Sequence, residues 1–178
     1  MMEQVILVNA NNEQVGTMEK MEAHRKGMLH RAFSIFIFNS EGKMLLHERA
    51  HDKYHCGGMW TNAVCSHPRP GESQPEALRR KMEQEMGFFA EVEKAFDYTY
   101  RAELKNGLVE HEYDEVFIGI YDGKLSPNPD EVKDYRFASI AEIGEEIRQD
   151  GELFTPWFRL LFEPISQYYK SLNGVEQQ

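Results

Sequence analysis

The order of apolar and polar positions along the chain predicts short strands arranged around one central helix. The segment Phe33–Phe38 (FSIFIF) is aromatic and β-branched, and the turn NSEG separates it from the apolar segment KMLLHERA. These two segments are therefore predicted to form a β-hairpin. Further strands are predicted at Phe96–Ala102, Val109–Tyr121 and Tyr135–Ala138. Short strands followed by helices indicate a mixed α/β (α+β) fold, in which flanking helices cover a mixed β-sheet sandwich.

Start and stop signals predict where the helices lie. Ser73 and Glu76 have the spacing of a capping box, so a helix is expected to begin there and to continue to Gly87, a residue type that commonly ends helices. Two further helices are predicted near the C-terminal end. One begins at Ser139, which opens a second capping box, and the other begins at Thr155, just before a proline.

Length and composition favour one globular domain. The chain has 178 residues, 41% of them hydrophobic, which is ordinary for a globular protein with a real core. We predict an N-terminal extension or possible lid over residues 1–28, a main domain over residues 29–172 and a frayed tail over residues 173–178. No apolar run approaches the ~20 residues that span a bilayer, and the N-terminus has no basic leader. We therefore expect a cytoplasmic protein with no membrane contact.

The net charge is −10, because the chain has 20 basic and 30 acidic residues. This sign disfavours nucleic acid and anionic membranes as partners, since binding to either depends on a broad basic surface. A small phosphorylated ligand remains compatible if local cations or a metal receive it. Cys56 and Cys65 are expected to be free thiols. The sequence leaves a monomer and a homodimer equally open.

Three histidines and two glutamates could form a metal site. They are His24, His30, His67, Glu110 and Glu112. Glu110 and Glu112 would project to the same face of a strand, because side chains on a strand alternate. Such nitrogen and oxygen donors suit Mg²⁺, Mn²⁺ or Zn²⁺. The alternative is a solvated strand face with His111 turned the other way.

Cys65 also has two interpretations. A cysteine flanked by small and apolar residues is more often a core residue than a reactive thiol. Structural zinc is disfavoured, because the chain has no CxxC pair.

The central helix resembles the Nudix box when it is aligned on its final glycine. The matching positions are Glu72, Arg80, Glu85 and Gly87. Ser66 replaces a glycine, and Lys81 and Gln84 replace glutamates that a Nudix hydrolase uses to gather Mg²⁺. The resemblance therefore favours the Nudix fold more than it favours hydrolysis.

Taken together, the motifs resemble type I isopentenyl-diphosphate isomerase, a Nudix-fold family. The resemblance runs from about Lys20 to Trp157 through LHRAFSIFIFN, WTNAVCSHPRPGE, RRKMEQEMG, YRAELKNGLVEHEYDEVF and TPW. It implies conversion of isopentenyl diphosphate to dimethylallyl diphosphate through a tertiary carbocation. The alternatives are a Nudix hydrolase acting on a nucleoside or prenyl diphosphate, and a binding module that has lost its chemistry.

The resemblance also implies roles for individual residues. Cys65 and Glu112 would be opposed proton-transfer groups, with Tyr100 hydrogen-bonded to the carboxyl of Glu112. Glu112 is expected to be the donor and Cys65 the acceptor thiolate, although the sequence leaves the direction open. Trp157 would place its π face against the carbocation, a contact of ~2 kcal/mol when desolvated. The three histidines with Glu110 and Glu112 would hold one divalent metal, and Glu85 would hold a second, Mg²⁺, bridged to the substrate. Five cations would contact the diphosphate: Lys20, Arg49, Lys53, Arg80 and Lys81.

Overall fold

The structure is a computed structural model that describes residues 2–174. In these residues nine strands form one mixed sheet that is accompanied by four α-helices. The strands are β1 (Gln4–Val8), β2 (Gln14–Glu19), β3 (His30–Phe38), β4 (Met44–Arg49), β5 (Trp60–Thr61), β6 (Val64–Ser66), β7 (Val92–Glu103), β8 (Val109–Ile120) and β9 (Val132–Ala138). The helices are α1 (Lys20–Lys26), α2 (Gln74–Lys81), α3 (Ile140–Gln149) and α4 (Pro156–Leu172). The predicted mixed α/β class is confirmed.

Strand β3 lies at the centre of the sheet and organises its pairing. It runs parallel to β8 from the pair His30–Glu112 to the pair Phe38–Ile120, and it pairs with β6 in antiparallel fashion at Ser34–Cys65. β7 lies antiparallel to β8. This pairing brings three candidate residues from separate motifs close together: Cys65 on β6, Glu112 on β8 and Tyr100 on β7.

The predicted hairpin between β3 and β4 is confirmed only at its closed end. The two strands are antiparallel and pair at Phe38–Met44. β4 then leaves β3 and pairs with β9 and β5. The physical reason is that β3 gives its hydrogen bonds over residues 33–35 to β6, which interrupts an extended hairpin.

Both faces of β3 are buried, which explains why its sequence is apolar without alternation. Phe33, Ile35 and Ile37 pack in the hydrophobic cluster that includes α2. Phe36 and Phe38 point to the opposite face, into the cluster that includes α4. The sheet is therefore covered by a helix on each side, and the candidate site lies on the α4 side.

The helix signals in the sequence are confirmed by the caps. Ser73 and Ser139 each form a complete capping box, and Thr155 caps α4 through the backbone N–H of Phe158. α2 continues as a π-helical turn over Met82–Met86 and ends at Gly87, whose φ of 64° suits glycine.

The N-terminal segment is more regular than the sequence suggested. The described part of residues 1–28 forms β1, β2 and α1, and β1 reaches β3 at the pair Leu7–His30. Its role as a lid stays a prediction. Residues 175–178 of the predicted tail lie outside the described residues. Within residues 2–174 no helix is both long and apolar enough to cross a membrane.

Candidate active site

The site forms where one face of β8 changes from polar to apolar. Glu110, Glu112 and Asp114 are buried on this face, and Val116 and Ile118 continue it into the core against α4. Because alternate residues of a strand share a face, this pattern places three carboxyl groups in line at one end of a hydrophobic cluster. The predicted common orientation of Glu110 and Glu112 is therefore confirmed.

Five buried side chains converge at the end of this line. Each can offer a ligand atom to one position, and these atoms lie within 4.8 Å of one another: His24, His30, His67, Glu110 and Glu112. His24 Nε2 is 3.2 Å from Glu110 Oε1, and His67 Nε2 is 3.1 Å from Glu112 Oε1. These are the five residues that the sequence resemblance had grouped.

Backbone carbonyls orient two of the imidazoles as metal ligands would be oriented. His24 Nδ1 donates to the Lys20 carbonyl at 2.6 Å, and His30 Nδ1 donates to the Met28 carbonyl at 2.8 Å. A carbonyl only accepts, so both rings carry a proton on Nδ1, and each ring in its neutral form presents a lone pair at Nε2. Among the described residues, His24 Nε2 and Glu110 Oε2 are buried without a hydrogen-bond partner. The donor set thus fits a divalent cation.

His111 lies between the two glutamates but faces away from them. Its Nδ1 lies 2.9 Å from the carbonyl oxygen of Gly27, on the other side of β8. This orientation is the one that strand alternation predicts.

Tyr100 and Glu112 form a hydrogen-bonded pair across β7 and β8. They are directly opposite in the strand register, and the Tyr100 hydroxyl donates to Glu112 Oε2 at 2.8 Å. Burial, followed by the nearby charge of Glu112, raises the pKa of Tyr100 well above its ordinary value, so the phenol keeps its proton. Burial would raise the pKa of Glu112, but hydrogen bonds with Glu110 and the imidazoles outweigh it and lower that pKa well below its ordinary value.

Cys65 lies on β6 and lines the same pocket as Glu112, Tyr100 and Trp157. Its Sγ donates to Asn62 Oδ1 at 2.9 Å. Burial raises the pKa of the Cys65 thiol to about 12, so the resting group is a neutral thiol. The direction of proton transfer between Cys65 and Glu112 stays a prediction.

Trp157 is buried in the first turn of α4 and lines this pocket. Its Nε1 donates to Thr61 Oγ1 at 3.1 Å, and the Thr155 hydroxyl donates to the same oxygen at 3.1 Å. These bonds hold the indole at a fixed angle to the pocket. The Arg49 guanidinium lies 5.4 Å from the ring centroid, within cation–π range.

Four of the five predicted diphosphate contacts are held by internal carboxylates. Lys20 pairs with Glu3 at 3.0 Å, Arg80 with Glu72 at 2.7 Å and Lys81 with Glu85 at 2.9 Å, and Lys53 pairs with Glu131. A diphosphate would have to replace or join these carboxylates.

Arg49 is different from the other cations. It is buried in the pocket wall, and in the described part of the chain its Nε lacks a hydrogen-bond partner and no carboxylate pairs with it. A buried cation without a counter-charge is costly. An anionic ligand would supply that counter-charge, so Arg49 is the clearest indication that the pocket receives an anion.

Glu85, the predicted ligand of a second Mg²⁺, lies apart from the five-residue group. It is buried in the π-helical turn after α2, where Lys81 neutralises it. Its role as a ligand stays a prediction.

Several polar residues that support the site were not predicted from the sequence. Ser34 donates to Asp114 at 2.7 Å and lies 3.7 Å from the Cys65 sulfur. Burial, followed by the charge of Glu112, raises the pKa of Asp114 well above its ordinary value. The spacing of Asp114 from Glu112 was the available signal, because two residues along a strand return to the same face. His55, which also lines the pocket, was not predicted either.

The chain is similar to known proteins over most of its length. The NUDIX domain model matches residues 28–158. The isopentenyl-diphosphate Delta-isomerase of Pectobacterium atrosepticum is 44% identical over 175 residues, which cover 98% of each chain. That of Burkholderia multivorans is 43% identical and covers 92% of this chain and 93% of its own.

The chain belongs to the isopentenyl-diphosphate Delta-isomerase family. The family predicted from the sequence motifs is therefore confirmed, and so is the Nudix fold. Among solved structures, a Deinococcus radiodurans protein superposes with a TM-score of 0.70 at 19% identity, covering 83% of this chain and 90% of its own. The MutT protein of Methanosarcina mazei gives 0.65 at 20% identity, covering 80% of this chain and 96% of its own. These two likenesses concern the fold alone.

Proposed function

We propose that this protein is an enzyme that converts isopentenyl diphosphate to dimethylallyl diphosphate. The observation that carries the proposal is a single pocket that Cys65, Glu112, Tyr100 and Trp157 all line. The reaction needs these groups together, because an unactivated alkene is a very weak base and its protonation gives a tertiary cation. One group must give a proton to the terminal carbon of the alkene, and another must remove a proton from C2, so that the double bond moves and no net proton is consumed.

The pocket wall offers what such an intermediate requires. Cys65 and Glu112 lie on strands that flank β3 and supply the two proton-transfer groups. The Trp157 ring, held by Thr61, provides an electron-rich face for the cation.

The metal site is part of this proposal. His24, His30, His67, Glu110 and Glu112 would hold one divalent ion, and Mg²⁺, Mn²⁺ and Zn²⁺ all suit these donors. A bound cation would supply a positive charge that tunes the acidity of Glu112. Glu85 would hold Mg²⁺ at the diphosphate, and Arg49 would contact the diphosphate directly. Lys20, Lys53, Arg80 and Lys81 would surround the diphosphate after exchanging their carboxylate partners.

A hydrolase is disfavoured by the ion pair at the end of the box helix. Lys81 and Gln84 stand where a hydrolase has glutamates, and Lys81 pairs with Glu85 at 2.9 Å, so this part of the box has fewer carboxylates to gather Mg²⁺. A hydrolase also has no use for the thiol of Cys65. The cytoplasmic location and the choice between monomer and homodimer stay predictions.

The test is incubation with isopentenyl diphosphate and Mg²⁺ in D₂O, followed by proton NMR. Formation of deuterated dimethylallyl diphosphate supports the proposal. Release of phosphate would indicate a hydrolase, and an unchanged spectrum would indicate a binding module. The Cys65→Ala variant should lose turnover and keep its metal content, because Cys65 does not belong to the five-residue group. Normal turnover of that variant would remove Cys65 from the proton route.

A further inference from the structure

His55 is a buried imidazole in the wall of the active pocket, and the mechanism above does not use it. It is 6% exposed and lies next to Trp157, with the two ring centroids 5.4 Å apart. Its Nε2 is in close contact with Glu110 Oε1, the oxygen that His24 also approaches. Its Nδ1 lies 3.3 Å from Arg49 Nη2. His55 therefore lies between Arg49, which pairs with no carboxylate in the described residues, and Glu110, one of the proposed metal-binding carboxylates.

The neighbour on each side of His55 fixes which nitrogen carries the proton. A guanidinium only donates, so the contact with Arg49 requires that His55 Nδ1 accept. In the neutral ring the proton must then lie on Nε2. This atom is in close contact with Glu110 Oε1 but makes no hydrogen bond of regular geometry among the described residues, so Glu110 is the acceptor within its reach. This tautomer is the opposite of that in His24 and His30, whose Nδ1 atoms donate to carbonyls and leave Nε2 free for a metal.

The loop that carries His55 turns sharply at the two residues that follow it. Cys56, the next residue, has a φ of 51°, which is unusual for a residue with a side chain. Gly57 follows, and a Cβ there would lie 2.5 Å from the His51 carbonyl oxygen. A turn this tight directs the His55 side chain inward, and Arg49 also donates to the His55 carbonyl at 3.3 Å. Backbone conformations of this kind persist where the surrounding structure requires them.

We propose that His55 is a positioning residue that donates from Nε2 to Glu110, orienting this carboxylate toward the metal and linking it to Arg49. The inference rests on the metal site of the proposed function. Partners of this kind fix the orientation of a ligand and raise its basicity, and their loss typically weakens metal binding by about 10- to 100-fold. His55 itself would not bind the metal, because its Nε2 lone pair is replaced by the proton.

The test compares two substitutions that separate hydrogen bonding from packing. His55→Gln keeps a donor and an acceptor but loses the ring against Trp157, whereas His55→Phe keeps a ring and loses both hydrogen-bonding atoms. Mn²⁺ is titrated into the metal-free full-length protein, and free Mn²⁺ is followed by electron paramagnetic resonance. We expect H55F to bind Mn²⁺ about 10- to 100-fold more weakly and H55Q to retain the wild-type affinity.

His111→Gln is the matched control. His111 is adjacent to Glu110 and faces the other side of β8, so its substitution should leave Mn²⁺ affinity unchanged. If H55F does not fold, as judged by circular dichroism, His55→Ala replaces it with the same expectation.

Two results would overturn the inference while leaving the proposed function intact. One is wild-type Mn²⁺ affinity in both H55F and H55Q. The other is weakened binding in H55Q with normal binding in H55F, which would mean that the ring only packs. If the wild-type protein itself bound no Mn²⁺, the proposed metal site would fail, and that failure is distinguishable because it precedes any substitution.

Discussion

Substitution of Tyr100 by phenylalanine should isolate one hydrogen bond in the proton-transfer pair. The phenol donates to Glu112 at 2.8 Å, both groups are buried, and the lowered pKa of Glu112 means that the bond reaches an ionised carboxylate. A hydrogen bond to a charged group contributes about 1.5–3 kcal/mol. If Glu112 gives the proton to the alkene, this bond is strongest on the carboxylate that forms, and its loss lowers kcat by roughly 10- to 150-fold.

Steady-state kinetics with isopentenyl diphosphate would measure this change. KM should stay near its wild-type value, since Tyr100 bonds to Glu112 and the diphosphate is expected at Arg49. Tyr98→Phe is the control, because Tyr98 lies two residues away on the same strand, with its ring centroid 6.4 Å from that of Tyr100. Equal kcat values for wild-type and Y100F proteins, with Y100F properly folded, would refute a role for the phenol in proton transfer.

Three further predictions concern the cation, the metal and the box helix. Trp157→Ala should lower kcat more than it changes KM if the ring stabilises the carbocation, whereas equal effects on kinetics and binding would indicate packing. A metal present at 100 times its Kd contributes about 2.7 kcal/mol to the free energy of unfolding. Removing it with a chelator should therefore lower the melting temperature by about 5–10 °C. An unchanged melting curve would contradict a bound ion. In a double-mutant cycle, Arg80→Met and Glu72→Gln should show coupling of about 1–3 kcal/mol in the free energy of unfolding at pH 7. Arg80 lowers the pKa of Glu72 from its ordinary value of 4.5, so the coupling should be present above that pH and disappear as the pH falls below it; coupling that is independent of pH would show that the pair is not ionic.

Much of the site could be predicted because strand alternation is a strong constraint. Glu110 and Glu112 share a face for a reason that the sequence alone contains, and so does the opposite orientation of His111. The capping boxes at Ser73 and Ser139 were equally local signals. Predictions of this kind depend on neighbours in the chain, and the structure confirms them.

The features that sequence reasoning missed depend on contacts between distant segments. The pairing of β3 with β6 and β8 competes with the expected hairpin, and no local pattern records that competition. His55 lies in a polar loop where a histidine is ordinarily solvated, and it is buried against Glu110 and Trp157, which are distant in the chain. The carboxylate partners of Lys20 and Lys53 are 17 and 78 residues away in the chain, so their pairing could not be expected from spacing.

The change along β8 from carboxyl groups to Val116 and Ile118 has a consequence for how the enzyme tolerates insertions and deletions. Because one strand carries both functional and core residues on the same face, losing or gaining a single residue between Glu112 and Val116 would turn either the acids or the aliphatic side chains toward the wrong helix. Length changes in this segment should therefore abolish folding and turnover together. Length changes in the loop after β7, which follows Glu103, should not have this combined effect.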